Sequence, residues 1–329
     1  MIINVNNVDK VGFVDLNIDV NLDLPFEIEK LKREKNAVIL AHYYQNPEIQ
    51  DIADFIGDSL ALSQKAENID SDIIVFAGVN FMAETAKILS PNKKVLIPDK
   101  NAGCSLAESC KYEDLKNFKT KFPNHIVVTY VNTTAEIKSI SDICCTSSNA
   151  VKVIESIPKE KGIIFAPDRN LGNYLKSITG RENMIVWDGA CHVHEEFSLE
   201  AILDLKKEYP KAKLLAHPEC KKPILLIADF IGSTSDILKF SQNDNCEVYI
   251  IATEPGIIHQ MKKNNPNKVY LTPPPKASNC GCNECSFMKL ITLKKIYLTL
   301  KYELPEIFVD EEIMKLARIP IQRMLQISK

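Results

Sequence analysis

Short apolar runs rich in valine and isoleucine alternate along the chain with stretches of helical hydrophobic spacing, the pattern of parallel α/β units. Nine runs read as strands: AVILAH (37–42), DIIVFA (72–77), KVLIP (94–98), IVVTY (126–130), GIIFAP (162–167), MIVWD (184–188), KLLAH (213–217), VYIIAT (248–253) and KVYLT (268–272). They fall into three groups of three. The first strand of each group ends in AHYYQ, TYVNT or AHPEC, and placing these in register aligns His42, Tyr130 and His217 at separations of 88 and 87. The same register aligns Tyr44 with Asn132 and Glu219. In the helix-start segment that follows, it aligns Ser59 with Ser147 and Thr234. IADFIGDS (52–59) nearly recurs as IADFIGST (227–234), so the chain reads as an internal triplication.

The predicted fold class is α/β, with three pseudo-threefold-related, three-layer αβα domains, each carrying a small parallel sheet, around a central cluster site. The expected boundaries are 1–111, 112–198 and 199–285, the last ending in a CxCxxC run. A unit of about 87 residues is near the small end for an independent core, so the three should pack on one another. Residues 286–329, with helical spacing from Thr292 and a break at Pro305, are expected to pack back on the first repeat. Residues 1–25 carry no assigned role.

Composition narrows the function. A net charge of −3 over 329 residues argues against a nucleic-acid or anionic-membrane partner. No run is long and apolar enough to span a bilayer, and the N-terminus lacks the pattern of a signal peptide, so the expected location is cytoplasmic. Ten cysteines are many for a reducing compartment, which points to metal or thiol chemistry over disulfides. Most of the ten, Cys110 and Cys246 among them, read as ordinary core or surface thiols.

In open α/β sheets, ligands bind beyond the carboxyl ends of the strands. His42, Tyr44, Tyr130, Asn132, His217 and Glu219 all collect there, in three equivalent copies. Ser59, Ser147, Ser233 and Thr234 stand where a hydroxyl would cap a helix whose free N–H groups face outward. Three such caps aimed at one centre suggest a small substrate with several negative groups. After each third strand comes cysteine: Cys104, Cys191 (87 residues on), and the run Cys280, Cys282, Cys285. One thiolate from each unit would hold a metal on the threefold axis. No second CxxC or histidine pair completes a zinc site. Three cysteines on a [4Fe–4S] cluster would leave one iron open as a Lewis acid. Cys144–Cys145 is a rival pair, but it precedes a helix cap instead of following a third strand.

These residues resemble the quinolinate synthase family. The likeness lies in AHYYQNPEIQDIADFIGDSLALS, FAGVNFMAETAKILSP, IPDKNAGCSLAES, TYVNTTAEIKS, CTSSNA, FAPDRNLGNYL, VWDGACHVHE, HPEC with GSTSDIL, ATEPGIIHQ and the cysteine run before SFMKLITL, nearly the whole chain after Pro25. The resemblance implies three related α/β domains in a triangle and a [4Fe–4S] cluster on Cys104, Cys191 and Cys285, with one open iron. It also implies condensation of iminoaspartate with dihydroxyacetone phosphate to quinolinate, for NAD synthesis. An aspartate oxidase or aspartate dehydrogenase would supply the imine. Two features depart from the family pattern: a CxC start where the family often has CxxC, and Ser286 where a proline commonly follows the ligand. Cys280 and Cys282 therefore have no assigned role beyond that of a candidate redox-sensitive thiol pair.

For the chemistry, Glu219 is the expected general base, its pKa raised by apolar walls. His217 would orient it or relay a proton, with His42 and Tyr44 as the equivalent pair, and His194 would contact substrate near the cluster. Two competing classes are an iron–sulfur hydro-lyase on another polycarboxylate and a non-catalytic thiolate metal-binding protein. A nucleotide-binding enzyme is disfavoured, since neither GxGxxG nor GxxxxGK[ST] occurs.

Overall fold

Strands that are apolar on both faces need helices on either side, and the alternating chain supplies them. The computed structural model describes residues 5–274 and 283–329, so Cys280 and Cys282 lie outside the described residues. It holds β1 (Ala37–His42), β2 (Phe55–Gly57), β3 (Ile73–Ala77) and β4 (Lys94–Leu96) in a first parallel sheet ordered β2-β1-β3-β4. The second sheet contains β5 (Ile126–Tyr130), β6 (Ile143–Cys145), β7 (Ile163–Ala166) and β8 (Met184–Val186), ordered β6-β5-β7-β8. The third contains β9 (Lys213–Ala216), β10 (Phe230–Ile231), β11 (Val248–Ala252) and β12 (Val269–Leu271), ordered β10-β9-β11-β12. One topology is thus used three times.

The sequence pattern predicts nine strands, and the described residues form twelve. The additional ones, β2, β6 and β10, are edge strands of two or three residues inside the segments read as helix starts. Runs that short carry no detectable period. Each pairs in parallel with the first strand of its unit, as in His42 with Gly57 and Tyr130 with Cys145. Cys144 and Cys145 are therefore buried edge-strand residues, packed in the core.

The tail does not simply return to the first repeat. Helix Leu293–Tyr302 packs on Leu24–Glu34 of the first unit. The last helix, Glu311–Ile327, lies on Ala135–Ser139 and β6 of the second unit and also touches Asn80–Leu89 of the first. Its stripe Ala317, Ile321, Met324 and Leu325 is buried in a core shared by those two units, whereas the third unit keeps separate clusters. Two units offering a common groove explain why the helix straddles them.

The N-terminal segment also acquires a place. Val8 and Val14 are buried, and the Gly12 carbonyl accepts Lys100 N–H at 2.7 Å. Asn101 Nδ2 donates to the Val11 carbonyl at 2.8 Å. Gly12 sits at φ +92°, and a Cβ there would lie 2.5 Å from Asn101 Nδ2, so only glycine suits the crossing. The segment straps the loop that leads to Cys104. No described helix is long and apolar enough to cross a membrane.

Candidate active site where the three sheets meet

The carboxyl ends of β1, β5 and β9 open on one cavity. His42, Tyr44, Tyr130, Asn132, His217 and Glu219 all line it, with Ser59, Ser147, Thr234, His194, Cys104, Cys191 and Cys285. Of the predicted site residues, only Ser233 stays outside it. Its hydroxyl donates to Asp236 Oδ2 at 2.6 Å and accepts Asp236 N–H at 3.2 Å, so it closes a capping box on its own helix. The other caps also differ from expectation. Asp58 caps the helix from Ser59, and Asn149 occupies the N-cap position of the helix from Ala150. Ser59 and Ser147 are thereby released from capping, with the cavity beside them.

The three units interlock through these tips. Tyr44 Oη shares hydrogen bonds with Thr234 Oγ1 at 2.8 Å and Thr253 Oγ1 at 2.9 Å in the third unit. His217 Nε2 lies 3.2 Å from Ser147 Oγ in the second. Ser148 Oγ donates to Asp58 Oδ2 of the first at 2.7 Å. The residues two beyond each strand tip share the cavity through turns that follow the strands. Tyr44 N–H donates to His42 Nδ1 at 3.2 Å, and Glu219 N–H donates to His217 Nδ1 at 3.3 Å. A nitrogen that accepts carries no proton, so both neutral imidazoles bear theirs on Nε2.

Burial holds both rings neutral, lowering the pKa of His42 to about 4 and that of His217 to about 3. Both rings are therefore Nε2–H donors at neutral pH. Glu219 reverses its expectation. Desolvation does push its carboxyl up, but His194 and His217 beside it and the Tyr130 hydroxyl bring the pKa down to about 2. His194 Nδ1 lies 2.8 Å from Glu219 Oε2, off the N–H axis, and its Nε2 meets Thr253 Oγ1 at 3.1 Å. The ring also stacks on His217 with centroids 4.7 Å apart.

Because His42 is buried neutral, acid should weaken the fold. In the unfolded chain it titrates near 6.5, so stability is complete above that pH and falls as pH drops toward about 4. The expected loss is roughly 3 kcal/mol. Urea denaturation of the metal-free protein at pH 7 and pH 4.5 measures it. His42→Asn keeps an acceptor for Tyr44 N–H but cannot titrate, and should flatten the slope.

The cysteines divide by position. Cys104 and Cys191 are the N-caps of the short helices Ser105–Glu108 and His192–Glu195, and Cys285 precedes the turn Met288–Leu290. The backbone N–H groups of the turn ahead favour the thiolate at each sulfur (Ala107 and Leu106 at Cys104, His194 at Cys191, Met288 and Phe287 at Cys285), with no cap hydrogen bond formed at Cys104 or Cys191. Burial pushes all three thiols up, Cys104 to about 12, so a cation is needed to hold them together as thiolates. Cys110, Cys144, Cys145, Cys220 and Cys246 lie off the cavity, all without disulfides. Cys191, His194 and Glu219 also bring one ligand atom each within 4.8 Å of one another.

Sequence reasoning missed several wall residues, including Asp58, Ser105, His192 and Phe287. Ser105 Oγ lies 2.7 Å from His192 Nδ1, joining the positions that follow Cys104 and Cys191. Both are 87 apart in the repeat register, a signal that extending the alignment past the cysteines would have caught.

The description "Quinolinate synthetase A protein" belongs to the family model that matches residues 26–326. Quinolinate synthase of Gloeothece citriformis is 57% identical over 95% of this chain and 97% of its own length. That of Rippkaea orientalis is 58% identical over 93% and 94%, and that of Nostoc punctiforme 57% over 94% and 95%.

Proposed function

We propose, since the chain belongs to the quinolinate synthetase A family and is an enzyme that makes quinolinate for NAD biosynthesis, that it condenses iminoaspartate with dihydroxyacetone phosphate. Phosphate and water are lost in that reaction. The observation that carries the proposal is the meeting, in one cavity, of three cysteines with polar tips from all three units.

The donor set fits an iron–sulfur cluster. It provides one sulfur per unit, each favoured as a thiolate by nearby backbone N–H groups, the surroundings such clusters use. Held by Cys104, Cys191 and Cys285, a [4Fe–4S] cluster with one iron free of protein ligand would supply Lewis acidity for a substrate oxygen.

The remaining work falls to side chains. His42 and His217 present Nε2–H donors to carboxylate or phosphate oxygens without adding a titrating charge. Ser59, Ser147 and Thr234 offer hydroxyls around the same space, and buried Asn132 Oδ1, which lacks a protein partner, is an open acceptor. Glu219 stays ionised and takes a substrate proton at its carboxylate, with the His194 ring beside it to share the charge. The Tyr130 hydroxyl beside Glu219 helps to hold that carboxylate ionised. A cytoplasmic location suits a site that needs reduced thiols.

Anaerobic protein should form quinolinate from dihydroxyacetone phosphate and iminoaspartate generated in situ by an aspartate oxidase or aspartate dehydrogenase. A chain that binds iron and sulfide yet yields no quinolinate would place it with electron-transfer modules. Turnover of another polycarboxylate alone would make it a hydro-lyase.

A further inference from the structure

The repeat register extends to β3, β7 and β11, which pair with the first strand of each unit. Ala41, Thr129 and Ala216 pair with Ala77, Ala166 and Ala252, which makes Val79, Asp168 and Glu254 equivalent, two residues farther on. Asp168 and Glu254 are both fully buried. Each carboxylate uses its two oxygens in the same way. Asp168 Oδ1 accepts Leu171 N–H at 2.7 Å, capping the helix Arg169–Thr179, while Oδ2 accepts the backbone N–H of Cys191 at 3.3 Å. Glu254 Oε2 accepts Gly256 N–H at 2.7 Å, where the helix Ile257–Asn264 begins, while Oε1 accepts the backbone N–H of Cys285 at 3.4 Å. Lys289 also lies on Glu254 Oε1 at 3.0 Å and donates to the Tyr44 carbonyl at 2.8 Å.

The two cysteines stand at different distances along the chain, 23 residues after Asp168 and 31 after Glu254. The shared contact therefore survives a change in loop length, which makes it a property of the site and not of the connection. The first unit has no carboxylate at this position. There the loop before Cys104 is tied by Asn80, whose N–H donates to the Ala102 carbonyl at 2.8 Å and whose Nδ2 donates to Lys100 O at 2.5 Å. Lys295, paired with Asp99, and the N-terminal strap supply the rest.

We infer that Asp168 and Glu254 are paired positioning residues that fix the backbones of Cys191 and Cys285 for a shared metal centre. The inference rests on the cluster reading. A carboxylate is required because both oxygens must accept; an amide replaces one acceptor with a donor. Asparagine caps a helix as well as aspartate does, so Asp168→Asn keeps the cap and removes only the partner of Cys191 N–H.

The test uses the full chain reconstituted with iron and sulfide under anaerobic conditions. Asp168→Asn and Glu254→Gln should each take up the cluster but release iron to a ferrous chelator about 10- to 100-fold faster than wild type. The electron paramagnetic resonance spectrum of the reduced cluster should also shift, with the melting temperature of the metal-free protein unchanged in Asp168→Asn. Wild-type iron retention and spectra in both variants would overturn the inference and leave the cluster reading standing. So would a metal-free melting point in Asp168→Asn as low as that of Asp168→Ala, which would reduce Asp168 to a helix cap. Wild-type protein that holds no cluster overturns both.

Discussion

Serine in place of Cys104, Cys191 or Cys285 is expected to lower bound iron and cut quinolinate formation by at least about 10³-fold, because a Lewis acid worth several kcal/mol would leave with the proposed cluster. The three should behave alike, since each unit contributes one sulfur and a cube missing one anchor has no neighbouring thiol to recruit among the described residues lining the cavity. Cys220 is the internal control. It follows Glu219 directly, yet its thiol is buried and donates to the Ala252 carbonyl at 3.2 Å. A serine hydroxyl can make the same bond, so Cys220→Ser should keep both iron and activity. Iron and sulfide analysis beside an anaerobic assay reads all four variants. Full iron in Cys104→Ser together with loss in Cys220→Ser would remove the proposed ligand set.

The repeat made much of this site legible. Three copies at a spacing of 87 or 88 residues turned single polar residues, each ordinary alone, into a set that had to face one centre. What the spacing could not convey was fine local backbone detail and anything decided across units. Which group caps each helix depended on local backbone, so Asp58 and Asn149 displaced the serines beside them. The edge strands were too short to show a period. The place of the last helix was set by a groove between two units, which no single unit encodes. Asp168 and Glu254 were within reach of the same alignment, one strand over, and were passed by because they lie apart from the first-strand tips.

The charge state of Glu219 was also beyond the sequence, because His194 comes from a different unit and is 25 residues away along the chain. Glu219→Gln keeps the size of the side chain and leaves Cys191, Cys104 and Cys285 untouched, so iron content and the visible spectrum should stay as in wild type. Turnover should fall by about 10²- to 10⁴-fold, the usual contribution of one positioned proton acceptor. The pH profile separates two ways of reaching that result. With its pKa near 2, Glu219 is ionised throughout the working range, and kcat/KM should show no acid limb from this group above about pH 5. A carboxyl raised by burial alone would instead produce a limb near pH 6 to 7 that vanishes in the Gln variant. Activity near the wild-type level in Glu219→Gln would take the residue out of the chemistry. A limb at neutral pH would restore it as a raised base and show that the His194 contact fails to hold the charge.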